Sequence, residues 1–268
     1  MNDLDRPSAE PITLIAGWRI ERFASLGSSN DEARARALAG DRGRLWIVAG
    51  EQRAGRGRHG RPWHSPPGNL HASALLIDPC EASLAPQLGF VAGVALIAAV
   101  RDIGLSDVAI KWPNDLLWKG AKLSGLLVEG VPMTNRGLAC VVGMGVNCGS
   151  SPRGLAYPVA NLSEALGRPV APESVFERLV RRFEEALGQW ARGAGFAEIR
   201  ARWLAAAAGL GGPVRVASTR AICEGIFEGL DASGRLLLRS PNGLQAVEAA
   251  DLLLAPRVES QTESPAHE

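Results

Sequence analysis

Short apolar runs recur along the first half of the chain and predict strands. Residues 18–23 alternate apolar and charged side chains for much of their length, which is typical of a half-exposed strand. Residues 45–49 are a short apolar run, as in a buried strand, and residues 70–77 predict a second strand that returns from the loop after it. Residues 138–147 form another such run, which ends in glycines and an asparagine. Glycine at a strand end allows a ligand close to the backbone.

Residues 108–129 predict two more strands, which are joined by a Lys-Gly turn. Pro113 interrupts the first of them, because proline cannot donate to the hydrogen-bond ladder of a sheet. The interruption presents two polar side chains, Asn114 and Asp115. These side chains are candidates for a functional site.

The polar stretch 27–32 precedes an Ala/Leu/Arg-rich segment that predicts a helix ending at Gly40. Ser29 and Glu32 have the spacing of a capping box, in which each side chain accepts a hydrogen bond from a backbone N–H at the helix start. Most serine runs of this kind only cap a helix. The alternative is that the hydroxyls bind a polar ligand group beside the helix N-terminus.

A second helix is predicted from Ser83, as its cap, to about Ile103. Residues 84–100 are apolar enough to suggest a membrane span, but they include a proline, a glutamine and two glycines, so a buried helix fits better. Residues 172–192 and 196–208 have helical periodicity and predict two more helices. The combination of strands and helices predicts an α+β domain.

The sequence pattern changes after residues 211–213. Short apolar segments separated by turns predict a small all-β barrel of about fifty residues. We therefore predict a main domain at residues 12–209, a second at 210–256, and disordered tails at 1–11 and 257–268.

The composition limits the kind of partner. The 268 residues carry a formal net charge of +1, with 46% apolar and 21% charged residues, as in an ordinary soluble globular protein. This balance argues against a protein whose whole surface binds nucleic acid, so any polyanion site is local. The four cysteines have no C-x-x-C spacing and no signal peptide opens the chain, which predicts a cytoplasmic protein with free thiols.

Residues 55–63 concentrate three arginines, one histidine and three glycines, and no acidic residue occurs from Gln52 to Ile77. A flexible backbone with fixed cations suits phosphate groups. The glycines satisfy the G-x-G-x-x-G pattern, but a dinucleotide-binding turn must open a helix, whereas a proline-rich segment follows here. From these residues alone, a phosphate site is as open as the alternative, which is a solvated basic loop or a contact with nucleic acid.

Three polar clusters are predicted at strand ends or in loops: residues 55–63, residues 111–115 with Lys122, and residues 143–147. If they converge, they supply the cations, carboxylate and amides that phosphoryl or nucleotidyl transfer requires. A carboxylate with an asparagine can also hold Mg²⁺. Lys122 taken singly is typical of a surface lysine, and Trp63 of a core or pocket wall. Three neighbouring histidines lack an acidic or cysteine partner for zinc, namely His59, His64 and His71.

Two motifs together resemble those of biotin protein ligases. Residues 55–63 are similar to the G-R-G-R-x-G-R-x-W loop of that family. Residues 111–115 and 122–129 are similar to its K-W-P-N-D and K-x-[AS]-G-[IL]-L-x-E segments, in the family's order and at its spacing. The combination of the two motifs is highly specific.

Shorter matches extend the resemblance to roughly residues 18–256. Residues 28–30 are similar to the family's S-T-N, Gln52 precedes the loop as the family's glutamine does, and residues 143–147 match its G-x-G-x-N strand end. The resemblance implies a mixed-sheet catalytic domain of the class II synthetase-like, biotin–lipoate ligase type with a small SH3-like C-terminal barrel. Some members also carry a DNA-binding helix-turn-helix, which the few residues before Trp18 cannot hold, so no DNA binding is expected.

The resemblance implies an enzyme with two half-reactions. Biotin's carboxylate attacks the α-phosphate of Mg²⁺-ATP to give biotinyl-5′-AMP, and a lysine of a biotin carboxyl carrier protein then takes the biotinyl group. ATP and Mg²⁺ are the implied cofactors, and a homodimer is consistent with the family. Two alternatives stay open: a lipoate protein ligase, and a non-enzymatic nucleic-acid-binding protein that would explain the basic loop alone.

The resemblance also implies roles for individual residues. Lys122 would bridge the biotin carboxylate and the α-phosphate, Arg58 would belong to a lid over them, and Asp115 would hold Mg²⁺ or orient the acceptor lysine. The residues expected to bind biotin or ATP are Ser28, Ser29, Asn30, Gln52, Gly55, Arg56, Arg58, His59, Arg61, Trp63, Lys111, Asn114, Lys122, Gly125, Leu127, Gly143 and Asn147.

Overall fold

The computed structural model describes residues 12–133, 137–217, 222–248 and 251–254. Its larger sheet has eight strands, in chain order β1 (Thr13–Ile15), β2 (Trp18–Leu26), β3 (Leu45–Gln52), β4 (Leu70–Ile77), β5 (Val108–Lys111), β6 (Asp115–Trp118), β7 (Ala121–Met133) and β8 (Gly137–Val146). The spatial order is β1-β2-β3-β4-β8-β7-β6-β5. Strands β2 and β3 are parallel and the other neighbours antiparallel, so the sheet is mixed, as predicted. The tails predicted at residues 1–11 and 257–268 lie outside the described residues.

In the described part of the chain, five α-helices accompany the sheet: α1 (Ser29–Leu38), α2 (Gln87–Asp102), α3 (Leu162–Leu166), α4 (Pro172–Trp190) and α5 (Phe196–Leu204). Helices α2, α4 and α5 share one large core with one face of the sheet. Helix α1 packs on the other face through Ala33 and Ala37, in a separate cluster with residues of β2, β3 and β8. The large core lies on one side only, which leaves the α1 side open for a ligand.

Helix α1 begins one residue earlier than the predicted capping box requires. Ser28 is the N-cap, with extended backbone angles, and its hydroxyl accepts a hydrogen bond from Asp31 N at 3.4 Å. Ser29, the predicted cap, is already helical. Its hydroxyl donates to Gln52 instead, so the capping-box prediction for Ser29 is wrong.

Helix α2 begins at Gln87, so Ser83 does not cap it as predicted. Ser83 lies in a separate short turn, Ala82–Leu84, and Pro86 precedes the helix. Proline suits that position because it has no N–H to leave unsatisfied and its φ already fits a helix. Most side chains of α2 are buried, as predicted. Among the helices of the described residues, none has both the length and the apolar character that crossing a membrane needs.

The stretch predicted as two strands contains three. Residues 112–114, with a cis Trp112-Pro113 bond, reverse the chain between β5 and β6, which pair antiparallel with Lys111 opposite Asp115. The predicted Lys-Gly turn then joins β6 to β7. Pro113 therefore makes a hairpin turn rather than a break within one strand, and this turn carries Asn114 to the sheet edge.

The C-terminal part is a second, antiparallel sheet of five strands: β9 (Pro213–Ala217), β10 (Ile222–Leu230), β11 (Leu236–Ser240), β12 (Gly243–Val247) and β13 (Asp251–Leu254). Their order is β12-β11-β10-β9-β13. The predicted small β domain is confirmed, although β13 was not predicted. Its buried residues, including Phe227 and Leu238, join the large core. Trp112 Nε1 also donates to the carbonyl of Gly234 at 3.3 Å.

Candidate active site

A cleft of about 240 Å³ opens on the α1 side of the sheet. The start of α1, the glycine-arginine loop and strands β7 and β8 surround it. The residues that line it are Ser28, Ser29, Asn30, Gln52, Arg56, Gly57, Arg58, Arg61, Pro62, Trp63, His71, Lys111, Trp112, Pro113, Asn114, Asp115, Lys122, Gly125, Leu126, Leu127, Gly143, Met144, Gly145 and Tyr157. All three predicted polar clusters therefore reach one cavity.

One end of the cleft is a network of neutral side chains, which we call the neutral pole: Ser29, Asn30, Gln52, Ser65 and Ser73. Ser29 donates to Gln52 Oε1 from its backbone N at 2.8 Å and its hydroxyl at 2.9 Å. Gln52 Nε2 donates to Ser65 Oγ at 2.9 Å. Ser73 Oγ lies 2.6 Å from Asn30 Oδ1 and 2.8 Å from Ser29 Oγ. These bonds orient the polar atoms before any ligand arrives.

The other end is charged, and we call Lys111, Asp115 and Lys122 the ionic pole. Lys122 Nζ lies 2.8 Å from Asp115 Oδ1, and Lys111 Nζ lies 3.2 Å from Asp115 Oδ2. The contact between Asp115 Oδ1 and Lys122 is a close ion pair, but its angles are not those of a hydrogen bond. Because two ammonium groups share one carboxylate, the pole keeps a net positive charge and suits an anionic ligand group.

The loop at residues 55–63 is a narrow hairpin over this cleft. Gly57 N donates to the carbonyl of Arg61 at 2.7 Å, and Trp63 N donates to that of Gly55 at 2.9 Å. The tip turns at His59 and Gly60, both with positive φ. No regular helix follows the loop, which confirms that the G-x-G-x-x-G match is not a dinucleotide-binding turn.

Arg56 ties this loop to the elements beneath it. Its guanidinium lies 2.6 Å from Asp31 Oδ2 on α1 and 3.3 Å from Glu129 Oε1 on β7. The hydrogen bond to Asp31 and the two nearby carboxylates raise the pKa of Arg56, against a smaller opposing effect of burial. Glu129 also accepts a hydrogen bond from Asn30 Nδ2 at 2.6 Å, so the loop is connected to the neutral pole.

Trp63 lies across the floor of the cleft, where glycines make room for it. A Cβ atom on Gly145 would overlap the Trp63 indole, and one on Gly125 would come within 3.1 Å of it. A Cβ on Gly143 would overlap the amide of Asn30. The G-x-G-x-N pattern of the sequence thus has a packing reason, because side chains from two other elements occupy that space.

His71 is a buried histidine on the cleft floor that the sequence did not assign to the site. It is 1% exposed, and its Nε2 lies 3.1 Å from the carbonyl of Pro66. Burial lowers the pKa of His71, with a smaller contribution from His64. A neutral ring that donates from Nε2 leaves Nδ1 as an acceptor, and this atom has no hydrogen-bond partner within the described residues.

Three predicted ligand-binding residues lie outside the lining of the cleft. Gly55 supports the loop from behind, since a Cβ there would come within 2.5 Å of Ser65 Oγ. His59 is at the exposed tip of the loop. Asn147 is buried after β8, and its Nδ2 donates to the carbonyl of Ala160 at 3.0 Å. The remaining predicted residues all line the cavity.

Other residues of the site were missed. Glu129 is the last residue of the second motif, and this position in the motif could have identified it as a residue of the site. Ser73 and His71 alternate with apolar residues along β4. Because β4 is almost wholly buried on both faces, this alternation does not distinguish residues of a site from residues of the core. Tyr157 lies in a segment without a recognisable pattern. In the described part of the chain, no three His, Cys, Asp or Glu side chains are grouped as a metal site.

Comparison with known proteins identifies the family. The profile of the biotin/lipoate A/B protein ligase family matches residues 36–147, and that of the biotin protein ligase C-terminal domain matches residues 209–254. The biotin--[acetyl-CoA-carboxylase] ligase of Paracoccus denitrificans is 40% identical over 240 residues, which cover 86% of this chain and 98% of the relative. The ligase of that name from Mycobacterium tuberculosis is 33% identical, over 89% of this chain and 90% of the relative.

A solved structure shows the same fold. Biotin protein ligase from Aquifex aeolicus in complex with biotin and ATP aligns with a TM-score of 0.76 and 24% identity, over 87% of this chain and 97% of that chain. The predicted catalytic fold with its small C-terminal domain is confirmed. The sequence matches extend over both sheets and over the motifs that converge in the cleft, and the chain belongs to the biotin protein ligase family.

Proposed function

We propose that this chain activates biotin with ATP and transfers it to a lysine of a biotin carboxyl carrier protein. The observation that carries this proposal is the pairing of a neutral pole and an ionic pole in one cleft of about 240 Å³. Biotin has the matching asymmetry, with a neutral ureido ring at one end and a carboxylate at the other. The relatives named as biotin--[acetyl-CoA-carboxylase] ligases support the same substrates.

In the first step, the neutral pole would hold the ureido ring through Ser29 and Gln52, whose polar atoms are already oriented. The biotin carboxylate would then lie towards Lys122. One carboxylate oxygen bonds to the α-phosphorus of ATP as the bond to pyrophosphate breaks. The Lys122 ammonium stabilises the negative charge that grows on the phosphoryl oxygens, and preorganised charge of this kind lowers a barrier strongly.

In the second step, the amine of the carrier lysine attacks the acyl carbon of biotinyl-AMP, and AMP leaves as the amide bond forms. The lysine attacks as the neutral amine, and the proton that its nitrogen loses as the amide forms goes to water. Asp115 would orient the incoming lysine beside Lys111 and Lys122, whose ammonium groups it already pairs with. The loop at residues 55–63, with Arg56 and Arg58, would keep the adenylate in the cleft until the carrier arrives.

Mg²⁺ fits this site as a companion of ATP rather than as a protein-bound metal. Both Asp115 oxygens face lysine ammonium groups, so a divalent cation would compete with two charges already in place. Mg²⁺ commonly keeps several waters and binds substrate phosphates with few protein ligands. Either role predicted for Asp115, Mg²⁺ binding or orientation of the acceptor lysine, would therefore require it to share oxygens that already pair with Lys111 and Lys122.

The decisive experiment incubates the protein with ATP, Mg²⁺ and an apo carrier domain, with either biotin or lipoate, and weighs the carrier by mass spectrometry. We expect a mass gain with biotin alone. A gain with lipoate alone would favour the lipoate ligase alternative, and no gain with either would sink the proposal. A cytoplasmic location, absence of DNA binding, a homodimer and the domain limits at 12–209 and 210–256 stay predictions from the sequence.

A further inference from the structure

The chain's single tyrosine lies at the mouth of the cleft, beside the proposed catalytic lysine. The centroid of the Tyr157 ring is 5.7 Å from Lys122 Nζ, and that of Trp63 is 5.4 Å from it. Asp115 Oδ1 is 2.8 Å away. The ammonium is thus bounded by one carboxylate and the faces of two aromatic rings.

The backbone fixes Tyr157 in this place. Lys122 N donates to the carbonyl of Pro158 at 2.9 Å, and Ala160 N donates to that of Lys122 at 3.0 Å. The segment after Tyr157 is therefore bonded to the same residue whose side chain the ring contacts. Asn147 binds the carbonyl of Ala160 from the other side. The ring is half-exposed, but its backbone is not free to drift.

We infer that Tyr157 is a positioning residue for Lys122, and its kinetic consequence rests on the function proposed above. Lysine has a long flexible side chain, and holding it in one rotamer costs conformational entropy. A carboxylate alone would draw the ammonium towards Asp115. Aromatic faces attract a cation through their quadrupole without adding negative charge, so they direct the ammonium into the cleft and leave its charge available.

The kinetic test compares two substitutions of one side chain. Tyr157→Phe keeps the ring, whereas Tyr157→Leu keeps a similar apolar bulk without it. We expect Tyr157→Leu to slow pyrophosphate release at saturating biotin by roughly two- to fivefold, the factor that one exposed cation–π contact supplies. The KM for biotin should stay unchanged, and Tyr157→Phe should match the wild type. The control is Leu155→Ala, an exposed residue of the same segment outside the cleft lining.

A spectroscopic test needs no activity. The Cε protons of Lys122 should show an upfield ring-current shift in the proton–carbon spectrum of labelled lysine, and Lys122→Met assigns that signal by its loss. The shift should persist in Tyr157→Phe and shrink in Tyr157→Leu. An unchanged shift in Tyr157→Leu, or equal kinetic loss in Tyr157→Phe and Tyr157→Leu, would overturn the inference. If the wild type itself releases no pyrophosphate, the proposed function fails, while the spectra still decide the role of Tyr157.

Discussion

The two ends of the cleft hold polar groups in opposite ways. At the neutral pole each side chain already has its hydrogen-bond partner inside the protein, so burial costs little and the geometry is rigid. At the ionic pole two cations share one carboxylate, so the positive charge is balanced only when a ligand supplies an anion. The neutral pole suits recognition of a particular ring, whereas the ionic pole suits stabilisation of charge that develops during reaction.

The largest expected effect comes from removing a charge at the ionic pole. Lys122→Gln should slow adenylate formation by about 10²- to 10³-fold, the scale of losing one preorganised contact to a developing charge, with little change in the KM for biotin. Pyrophosphate release at saturating biotin measures it. Lys119→Gln, in the exposed turn before β7, is the matched control and should act as the wild type. A raised KM for biotin at a normal kcat would show that the ionic pole contributes to biotin binding rather than to the rate of adenylate formation.

At the neutral pole, a methyl group should disturb binding more than rate. Gly143→Ala would push the Asn30 amide away from Ser73 and Glu129. We expect a loss of about 1–3 kcal/mol in unfolding free energy, measured in urea, and at least roughly tenfold weaker biotin binding by calorimetry. The control is Gly130→Ala on β7, where a Cβ meets only the end of Leu138 at 3.4 Å. Normal biotin affinity in Gly143→Ala would contradict the rigid-network account.

Arg56 connects the loop at residues 55–63 to the neutral pole through Glu129. Loss of its side chain should therefore let this loop move away from the cleft. In Arg56→Met the contacts to Asp31 and Glu129 disappear, and biotinyl-AMP should escape and label lysines of an unrelated protein. Because these pairs are partly exposed, we expect roughly a two- to fivefold rise in such labelling, and high salt should produce part of it in the wild type. The control is Arg53→Met, an exposed residue two positions before the same loop. Unchanged labelling would show that Arg56 does not help to retain the adenylate.

The smallest effect concerns His71 on the cleft floor. Its pKa is below 6.5 in the folded chain, so between that lower value and 6.5 the unfolded state binds more protons. Stability should therefore fall as the pH drops from 7.5 to 5.5, by no more than about 1.4 kcal/mol from this group. Denaturant titrations at both pH values should show a smaller loss in His71→Gln than in the wild type, whereas His59→Gln should keep the wild-type loss. Equal losses in all three would exclude His71 as the source.

The sequence predicts most strands of the main sheet and many residues of the cleft, because both carry local signals, but it does not predict β1 or separate β5 from β6. The strand predicted at residues 70–77 coincides with β4, and the resemblance selected residues that converge in one cavity. Fine boundaries were less predictable. Ser28 and Ser29 are chemically equal as caps, and only the position of Gln52 on another strand decides which hydroxyl is free to cap.

Other contacts between distant elements could not be predicted. Tyr157 meets Lys122 because the segment after β8 pairs with the start of β7, and neither segment contains a pattern that encodes this pairing. Ser73 belongs to the neutral pole because α1 crosses β4 at that point. Such contacts depend on tertiary packing, which one sequence without relatives does not reveal.

The hydrogen bond between Trp112 and Gly234 has a consequence for how this chain can change over evolution. Exposed turns usually accept insertions and substitutions freely. The turn before β11 does not have that freedom, because Gly234 has φ 87° and a Cβ there would come within 2.7 Å of Phe90. Trp112 is the first residue of the turn between β5 and β6, which carries Asn114 and leads into Asp115. Substitutions in this β-turn of the second sheet should therefore co-vary with substitutions in the β5–β6 hairpin, although the two are far apart in the sequence.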